Sequence, residues 1–243
     1  MEEHILITIC ARGGSKGIPG KNTKLLNGKP LIEYTLQVAD AFRIVYSNTV
    51  IVLSTDSQYI KSVVRNSSIK NIETDYERPE LLATDNAGKL DTIIHVKEYV
   101  EQTFNVNFDY LLDLDVTSPL RTVEDLHEAL NILKTNSEAL NIFSVSPANR
   151  NPYFNMVEEA ENGFYKLCKE GLFLTRQSAP KVYDLNASFY IYSALFFQQS
   201  VKKVINDKTL VYPVEHLCFD LDHPIDFEFL SFLLEKNKLD FKF

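Results

Sequence analysis

The 243-residue chain is 45% hydrophobic and 24% charged, which is ordinary for a globular protein and long enough to bury a substantial core. Its 33 acidic residues exceed its 25 basic residues, giving a net charge of −8, so neither a nucleic acid nor an anionic membrane surface is an expected partner. No apolar run approaches the ~18 residues that span a bilayer, and the three widely spaced cysteines match neither a disulfide framework nor a zinc motif, so we expect a cytoplasmic protein.

Along the first half of the chain, short β-branched runs alternate with helical patterns, which is typical of a parallel sheet covered by helices. Residues 5–9 form the first predicted strand, and a glycine-rich turn leads to a helix that Pro30 opens. Further strands are predicted at 50–53, 108–112 and 140–145, and further helices at 60–64, 85–100 and 122–134. We therefore predict an α/β fold with a mostly parallel, Rossmann-like sheet in three α/β/α layers.

The second half changes character after Arg150, where short segments contain many aromatic residues. They suit antiparallel hairpins or an excursion that contacts another subunit, which we place at about 150–185. Strands are predicted at 189–192, 210–212 and 217–219, and Pro224 opens a closing helix. Because no linker or internal repeat interrupts the chain, residues 1–243 are expected to form one domain.

A glycine-rich basic loop, residues 11–22, directly follows the first predicted strand. Between Cys10 and Pro30 there are five cations and no anion, and the loop itself contains four glycines. Glycines at positive φ turn backbone N–H groups toward a ligand, and this edge of an α/β sheet is where polyphosphates are held. We interpret the loop as a triphosphate site, with a flexible turn bearing solvated lysines as the alternative.

The loop matches neither of two common phosphate motifs. A Walker A motif requires glycine where Ser15 stands and Ser or Thr where Asn22 stands. The dinucleotide fingerprint requires glycine in place of Arg12. A P-loop kinase and a Rossmann dehydrogenase are therefore both disfavoured.

Two aspartates late in the chain, Asp220 and Asp222, are separated by one residue at the end of the last predicted strand. The two-residue period of a strand puts both carboxylates on one face, where two hard oxygen ligands suit Mg²⁺. The alternative for Asp222 is a cap on the following helix. Asp113 and Asp115 form a rival pair with the same spacing.

The segment Ile9 to Asn22, ICARGGSKGIPGKN, resembles the signature of the acylneuraminate cytidylyltransferases, the CMP-sialic acid synthetase family. Further segments resemble landmarks of that family in the same order and together cover most of the chain: 54–56 (STD), 78–85 (RPELLATD), 117–121 (TSPLR), 176–177 (RQ), 186–190 (NASFY) and 220–222 (DLD). The resemblance implies that CTP and a nine-carbon α-keto acid sugar give a CMP-sugar and pyrophosphate with Mg²⁺. It also implies a homodimer that meets through the aromatic-rich stretch.

The residue chemistry and the resemblance together predict roles for individual residues, and of these Lys89 and Asp115 depart from the family pattern. Arg12, Lys21 and Asp222 are the expected catalytic residues, and Asp220 and Asp222 are the expected Mg²⁺ ligands. The expected nucleotide-binding residues are Ala11, Arg12, Gly13, Gly14, Ser15, Lys21, Asn22 and Lys89. The expected sugar-binding residues are Asp115, Thr117, Arg176, Gln177 and Tyr190, with Arg176 binding the sugar carboxylate.

Two positions depart from the sialic acid branch of that family. Asp115 stands where members often carry glutamine, and Lys89 stands where they tend to carry a small hydroxyl residue. Both departures resemble the legionaminic acid branch, which puts plain N-acetylneuraminate in doubt as the substrate. The alternatives are a helix cap for Asp115, a solvated charge for Lys89, a surface position for Arg176 and a core position for Tyr190.

The expected reaction is in-line attack of the sugar's C2 hydroxyl on the α-phosphorus of CTP, with pyrophosphate leaving and no protein general base required. Two alternatives stay open. One is another sugar nucleotidyltransferase, such as a CMP-Kdo synthetase or a hexose-phosphate enzyme, which the segments at 117–121 and 176–177 disfavour. The other is a catalytically silent nucleotide-binding protein, which the intact Arg12, Lys21, Asp220 and Asp222 disfavour.

Overall fold

The computed structural model describes residues 3–14, 17–84, 87–199, 201 and 203–242. Its strands are β1 (Ile5–Cys10), β2 (Leu25–Leu26), β3 (Lys29–Pro30), β4 (Thr49–Ser54), β5 (Ile72–Glu73), β6 (Tyr110–Leu114), β7 (Asn141–Pro147), β8 (Val157–Glu159), β9 (Tyr165–Leu167), β10 (Tyr183–Ser193) and β11 (Thr209–Pro213). Its helices are α1 (Leu31–Val45), α2 (Gln58–Asn66), α3 (Glu80–Ala83), α4 (Lys89–Phe104), α5 (Val123–Thr135), α6 (Ala194–Gln198) and α7 (Pro224–Glu235).

Seven of the strands form one sheet in the order β11-β7-β10-β6-β1-β4-β5. Neighbouring strands are parallel except where β10 is involved, because β10 runs antiparallel to both β6 and β7. The prediction of a mostly parallel α/β fold is therefore confirmed. Since β1, β4 and β6 are parallel neighbours, their carboxyl ends meet at one edge of the sheet, which is where such folds bind ligands.

The helices cover both faces of the sheet, and the alternation of side chains along each strand divides the core between them. Ile5, Ile7 and Ile9 of β1 pack in one apolar cluster with α1, α2, α5 and α7, whereas Leu6 packs in a second cluster with α4 and α6. Because β1 is covered on both faces, its sequence is a nearly continuous apolar run. This arrangement gives the three predicted layers.

Side chains close in sequence define where two helices beside the site begin. Thr122 caps α5, since its hydroxyl accepts from Asp125 N at 3.1 Å while the Asp125 carboxylate accepts from Thr122 N at 2.7 Å. At the start of α7, the Asp226 carboxylate accepts from the backbone N–H groups of Asp222 and His223. Asp226 therefore takes the capping role that was the alternative for the Asp222 side chain.

Two predicted elements differ from the structure. Residues 217–219, predicted as a strand, lie outside the sheet, and the segment that follows is tied to the body by Leu221 N donating to Thr117 O at 2.8 Å. Apolar alternation marks an extended, half-buried segment, but only a neighbouring strand turns it into part of a sheet. Helix α4 begins at Lys89, directly after Gly88, rather than at 85.

The region predicted as an excursion carries the small antiparallel hairpin of β8 and β9. Several large apolar side chains of this region are exposed, namely Met156, Val157, Phe164, Tyr165, Leu172 and Leu174. Its use as a dimer contact and the single-domain organisation of residues 1–243 stay predictions. In the part of the chain that the structure describes, no helix has both the length and the apolar character needed to cross a bilayer.

Candidate active site

A cleft of about 420 Å³ lies at the carboxyl ends of β1 and β6. Seven of the residues predicted for the site line it, namely Arg12, Lys21, Asn22, Lys89, Asp115, Thr117 and Asp222. Gly17 of the glycine-rich loop lines it as well, and among the described residues four further lining residues had no role assigned from the sequence: Cys10, Arg78, Thr84 and Ala87. The cleft therefore brings together residues from both ends and the middle of the chain.

The glycine-rich loop and the late aspartates meet across this cleft. The Lys21 ammonium donates to Leu221 O at 2.7 Å and lies 3.3 Å from Asp222 Oδ1. Gly17 lies so close to Asp222 that an added Cβ would stand 2.4 Å from the Asp222 carbonyl oxygen. Glycine is therefore required here by the close approach of two backbones, which the sequence analysis had not foreseen.

The backbone of the loop differs from the predicted phosphate cradle. Of its described glycines only Gly20 has a positive φ, of 65°, so the expectation was right there and wrong for Gly13, Gly14 and Gly17. The Gly13 N–H, expected to face a ligand, donates to Asp56 Oδ1 at 2.7 Å. This bond ties the loop to the end of β4.

Three other loop residues had predicted nucleotide contacts. Ala11 is buried, and its N–H donates to Ser54 O at 2.9 Å. Asn22 is also buried and donates from Nδ2 to Arg12 O at 2.9 Å, which fixes the loop behind Arg12. Ser15 lies outside the described residues.

Asp220 and Asp222 have the properties of a Mg²⁺ site. They flank Leu221, which is fully buried, whereas Asp220 is partly exposed and Asp222 is exposed. Among the described residues each carboxylate engages the protein through one oxygen, Asp220 with the Ser118 hydroxyl and Asp222 with Lys21. Each keeps a second hard oxygen, and Mg²⁺ commonly takes one or two carboxylates and completes its shell with water and phosphate.

The electrostatics of this pair agree with a place for a cation. Burial raises the pKa of Asp220, and although the hydrogen bond from Ser118 lowers it, the neighbouring charges of Asp115 and Asp222 add to the net increase. Within the described residues no group of three or more carboxylate, imidazole or thiol side chains is close enough to hold a metal ion. The residues present therefore fit a Mg²⁺ ion that shares its shell with a bound phosphate, and Asp220 and Asp222 stay a predicted metal pair.

The rival pair, Asp113 and Asp115, already holds a cation of the protein. The Lys89 ammonium lies 2.7 Å from Asp113 Oδ2 and 2.8 Å from Asp115 Oδ2. Asp113 is fully buried and also accepts from the Thr8 hydroxyl at 2.7 Å. The ammonium thus occupies the position between two strand-end carboxylates that a metal ion would otherwise take.

Lys89 and Asp115 stabilise each other's charged forms. Burial opposes ionisation of Asp115, but Lys89 and hydrogen bonds from Thr117 outweigh it and lower the pKa of Asp115 to about 2. Burial likewise opposes the charge on Lys89, yet Asp113 and Asp115 raise the pKa of Lys89 well above its ordinary value. The neighbouring Cys10 thiol has its pKa raised by burial to about 12, so it is a neutral group and not a nucleophile.

The predicted sugar-binding residues fall into two groups. Thr117 lines the cleft and donates its hydroxyl to Asp115 Oδ1 at 2.8 Å, and the half-buried Tyr190 ring lies 5.5 Å from the Lys89 ammonium. Arg176 and Gln177 instead lie exposed on a 3-10 turn, where Arg176 donates to Ala148 O at 2.5 Å. The structure does not include either of these two among the residues that line the cleft of their own chain.

Arg78 is the main cleft residue that had no role assigned from the sequence. Its guanidinium donates from Nε and Nη2 to Leu82 O, at 2.8 and 2.6 Å, and so closes the turn that contains α3. Arg78 is the first residue of the RPELLATD segment. That segment indicated the family, but the sequence did not indicate that the Arg78 side chain lines the cleft.

A cationic loop opposite paired carboxylates, at the carboxyl edge of a mostly parallel sheet, defines an α/β nucleotidyltransferase site. A family model described as Cytidylyltransferase matches residues 6–234, so the chain belongs to the cytidylyltransferase family, and the predicted family is confirmed.

Similar proteins support this assignment. The chain is 37% identical to the CMP-N,N'-diacetyllegionaminic acid synthase of Campylobacter jejuni subsp. jejuni, over 97% of each chain. It is 36% identical to the post-translational flagellin modification protein B of Campylobacter coli, over 98% of each. A solved CMP:2-keto-3-deoxy-manno-octonic acid synthetase in complex with CTP has a TM-score of 0.66 and 16% identity, covering 96% of this chain and 99% of that one, which supports the fold.

Proposed function

We propose that this protein uses CTP to activate a nonulosonic acid of the legionaminic or N-acylneuraminate type to its CMP-sugar, with release of pyrophosphate. The observation that carries the proposal is the contact of Lys21 with Leu221 and Asp222, because it joins the cationic loop and the aspartate pair across one cleft. The activity named for the Campylobacter jejuni relative supports the choice of sugar.

In the proposed reaction, the C2 oxygen of the sugar forms a bond to the α-phosphorus of CTP while the bond from that phosphorus to pyrophosphate breaks. The hydroxyl proton passes to solvent. Arg12 and Lys21 place positive charge beside the triphosphate and offset the negative charge that grows on the leaving group. Asp220 and Asp222 would hold a Mg²⁺ ion, which would supply further charge neutralisation beside the triphosphate and would lower the pKa of the attacking hydroxyl.

The nucleoside is proposed to lie between the loop and the start of α4. Asn22 supports this position, since its Oδ1 is buried and lacks a hydrogen-bond partner among the described residues, as expected of an acceptor that a ligand hydroxyl satisfies. Lys89 supports it as well. Its ammonium donates to Asp115 Oδ2 and forms an ion pair with Asp113 Oδ2, and an ammonium has three N–H donors, so one is left for an oxygen or nitrogen of the bound substrate.

The sugar is proposed to lie beside Thr117 and Tyr190, with Arg176 binding its carboxylate from a second copy of the chain. Since Arg176 does not line its own cleft, this role requires a homodimer in which the exposed excursion of one copy covers the cleft of the other. The exposed apolar side chains of that excursion support such a contact, because patches of this kind mark interaction sites.

A mixing experiment tests the shared site. Arg176→Ala and Asp222→Asn chains, each inactive alone, should regain about a quarter of wild-type activity when unfolded together and refolded, because half of the dimers are then mixed and each mixed dimer contains one intact site. If the mixture stays as inactive as the separate variants, Arg176 does not act across a dimer.

The function itself is tested by pyrophosphate release with CTP, ATP, GTP and UTP against sialic, legionaminic and pseudaminic acids and Kdo. We expect release only with CTP and fastest release with a legionaminic acid. Turnover of Kdo alone would instead identify a CMP-Kdo synthetase, and binding of CTP without release from any sugar would identify a silent nucleotide-binding protein. The three free cysteines agree with our proposal that the reaction takes place in the cytoplasm.

A further inference from the structure

A buried arginine bonds the turn beside the site, and in the part of the chain that the structure describes no carboxylate oxygen accepts a hydrogen bond from it. Arg121 is 1% exposed, and within the described residues all its hydrogen bonds go to neutral oxygens. The acceptors are Ser188 Oγ at 2.9 Å, Thr35 Oγ1 at 3.2 Å, Ser118 O at 2.7 Å and Asp115 O. Burying a guanidinium is costly, and the nearby charges of Asp115 and Asp113 offset only part of that cost, so its hydrogen bonds point to a role beyond packing.

The contacts of Arg121 converge on the short turn that follows β6. Its Nη2 group donates to the carbonyls of Asp115 and Ser118, which stand at the two ends of that turn. The Ser188 hydroxyl joins the same arrangement, since it accepts from Arg121 and donates to Ser118 O at 2.9 Å. Arg121 therefore closes residues 115–118 into a rigid turn.

Residues of this turn hydrogen-bond to the segment that contains Asp220 and Asp222. The Ser118 hydroxyl donates to Asp220 Oδ1, and Thr117 O accepts from Leu221 N at 2.8 Å. Because residues 220–222 belong to no strand or helix, hydrogen bonds hold the segment in place. They include these two, the bond from Lys21 to Leu221 O and the bond from Asp222 N to the Asp226 carboxylate. Ser118 is fully buried, so no water competes for its hydroxyl.

We propose that Ser118, held by Arg121, is a positioning residue for Asp220 and sets the metal affinity of the aspartate pair. The inference rests on the proposed function, since it takes Asp220 and Asp222 as the metal ligands. By occupying Oδ1, the Ser118 hydroxyl orients the carboxylate and leaves Oδ2 for the metal. Residues that hydrogen-bond to a metal ligand in this way typically contribute about 10–100-fold to metal affinity.

The test is a titration of the protein with Mn²⁺ in the presence of CTP and the absence of sugar. The electron paramagnetic resonance signal of free Mn²⁺ gives the Mn²⁺ affinity. Ser118→Ala should weaken Mn²⁺ binding about tenfold or more. Ser193→Ala is the matched control, since that hydroxyl donates to Leu140 O at 3.0 Å at the far end of β10 and should leave binding unchanged. Mn²⁺ affinity of Ser118→Ala within twofold of wild type overturns the inference, as does a wild type that binds no Mn²⁺.

Arg121 is tested through the same titration. If it acts through Ser118, Arg121→Lys should weaken Mn²⁺ binding alone but add nothing in the Ser118→Ala background. Should Arg121→Lys fail to fold, Ser188→Ala serves instead, because it removes one partner of both Arg121 and Ser118. Additive losses in the double variant would show that the arginine does not act through Ser118. An absence of pyrophosphate release from every sugar would count against the proposed function and leave the Mn²⁺ comparison valid.

Discussion

Replacing Lys89 with methionine tests the charge cluster at the floor of the cleft. The substitution keeps an unbranched apolar side chain but removes the ammonium that lies 2.7 Å from Asp113 and 2.8 Å from Asp115. Asp113 is fully buried and, among the described residues, would keep only the Thr8 hydroxyl at 2.7 Å as a side-chain partner. The variant therefore leaves an uncompensated negative charge inside the protein.

The expected loss of unfolding free energy follows from that burial. Removing one partner of a fully buried ion pair costs about 3–5 kcal/mol, and because the Lys89 side chain is 37% exposed, the low end of that range applies. An independent figure comes from Asp115, whose pKa of about 2 lies below its ordinary value of 3.8. That difference corresponds to about 2 kcal/mol at neutral pH, part of which the bonds from Thr117 supply. Both figures describe the same interaction and are therefore not summed. We expect Lys89→Met to lower the free energy of unfolding by about 3 kcal/mol.

The pH dependence has a definite sign. The pKa of Asp115 is lower in the folded than in the unfolded chain, so its contribution to stability is present above about pH 4 and is lost as the pH falls toward 2. Lys89→Met removes the main cause of that lowered pKa. The difference in stability between wild type and variant should therefore narrow as the pH falls from 4 toward 2.

Urea unfolding at several pH values measures both effects. Lys208→Met is the control, because the ion pair of Lys208 with Glu138 is largely exposed and is expected to contribute about 0–1 kcal/mol. Adding Asp113→Asn to Lys89→Met should recover part of the lost stability, since the unpaired charge is then gone. The reasoning is refuted if Lys89→Met is no less stable than Lys208→Met, or if the second substitution makes it worse.

Three further outcomes are expected. Asp222→Asn should lower metal-dependent pyrophosphate release at least a hundredfold with an unchanged thermal midpoint, and a loss of only a few-fold would remove Asp222 from the metal site. Gly17→Ala should lower turnover at least tenfold. Gly14→Ala is the control and should lower turnover less, because a Cβ added at Gly14 meets nothing within 4 Å. Equal losses in the two variants would contradict the close contact of Gly17 with Asp222. Burial lowers the pKa of His216, but its hydrogen bonds to Asp125 and Leu217 O outweigh burial, so the pKa is raised overall. In urea unfolding, wild type should therefore be more stable than His216→Gln by the full amount below pH 6.5. This difference in unfolding free energy should shrink as the pH rises through the raised pKa.

The predicted elements were most accurate where a local pattern coincides with burial. β1 and α1 could be placed because a run of apolar residues and a helical spacing persist over many positions. The short strands β2, β3 and β5 were not predicted, since two residues carry no period. Residues 217–219 show the reverse error, because their alternation reflects partial burial rather than a strand partner.

For the site, the amino-acid sequence alone determined which residues carry charge and how closely they follow one another. The cations of the loop and the spacing of Asp220 and Asp222 are local properties, so the sequence alone identifies them. The antiparallel direction of β10, the Lys89 ammonium between Asp113 and Asp115, and the exposure of Arg176 were decided by the tertiary structure. Contacts such as that of Lys21 with Asp222 join residues about two hundred positions apart, and only the order of strands in the sheet sets which distant chain ends become neighbours.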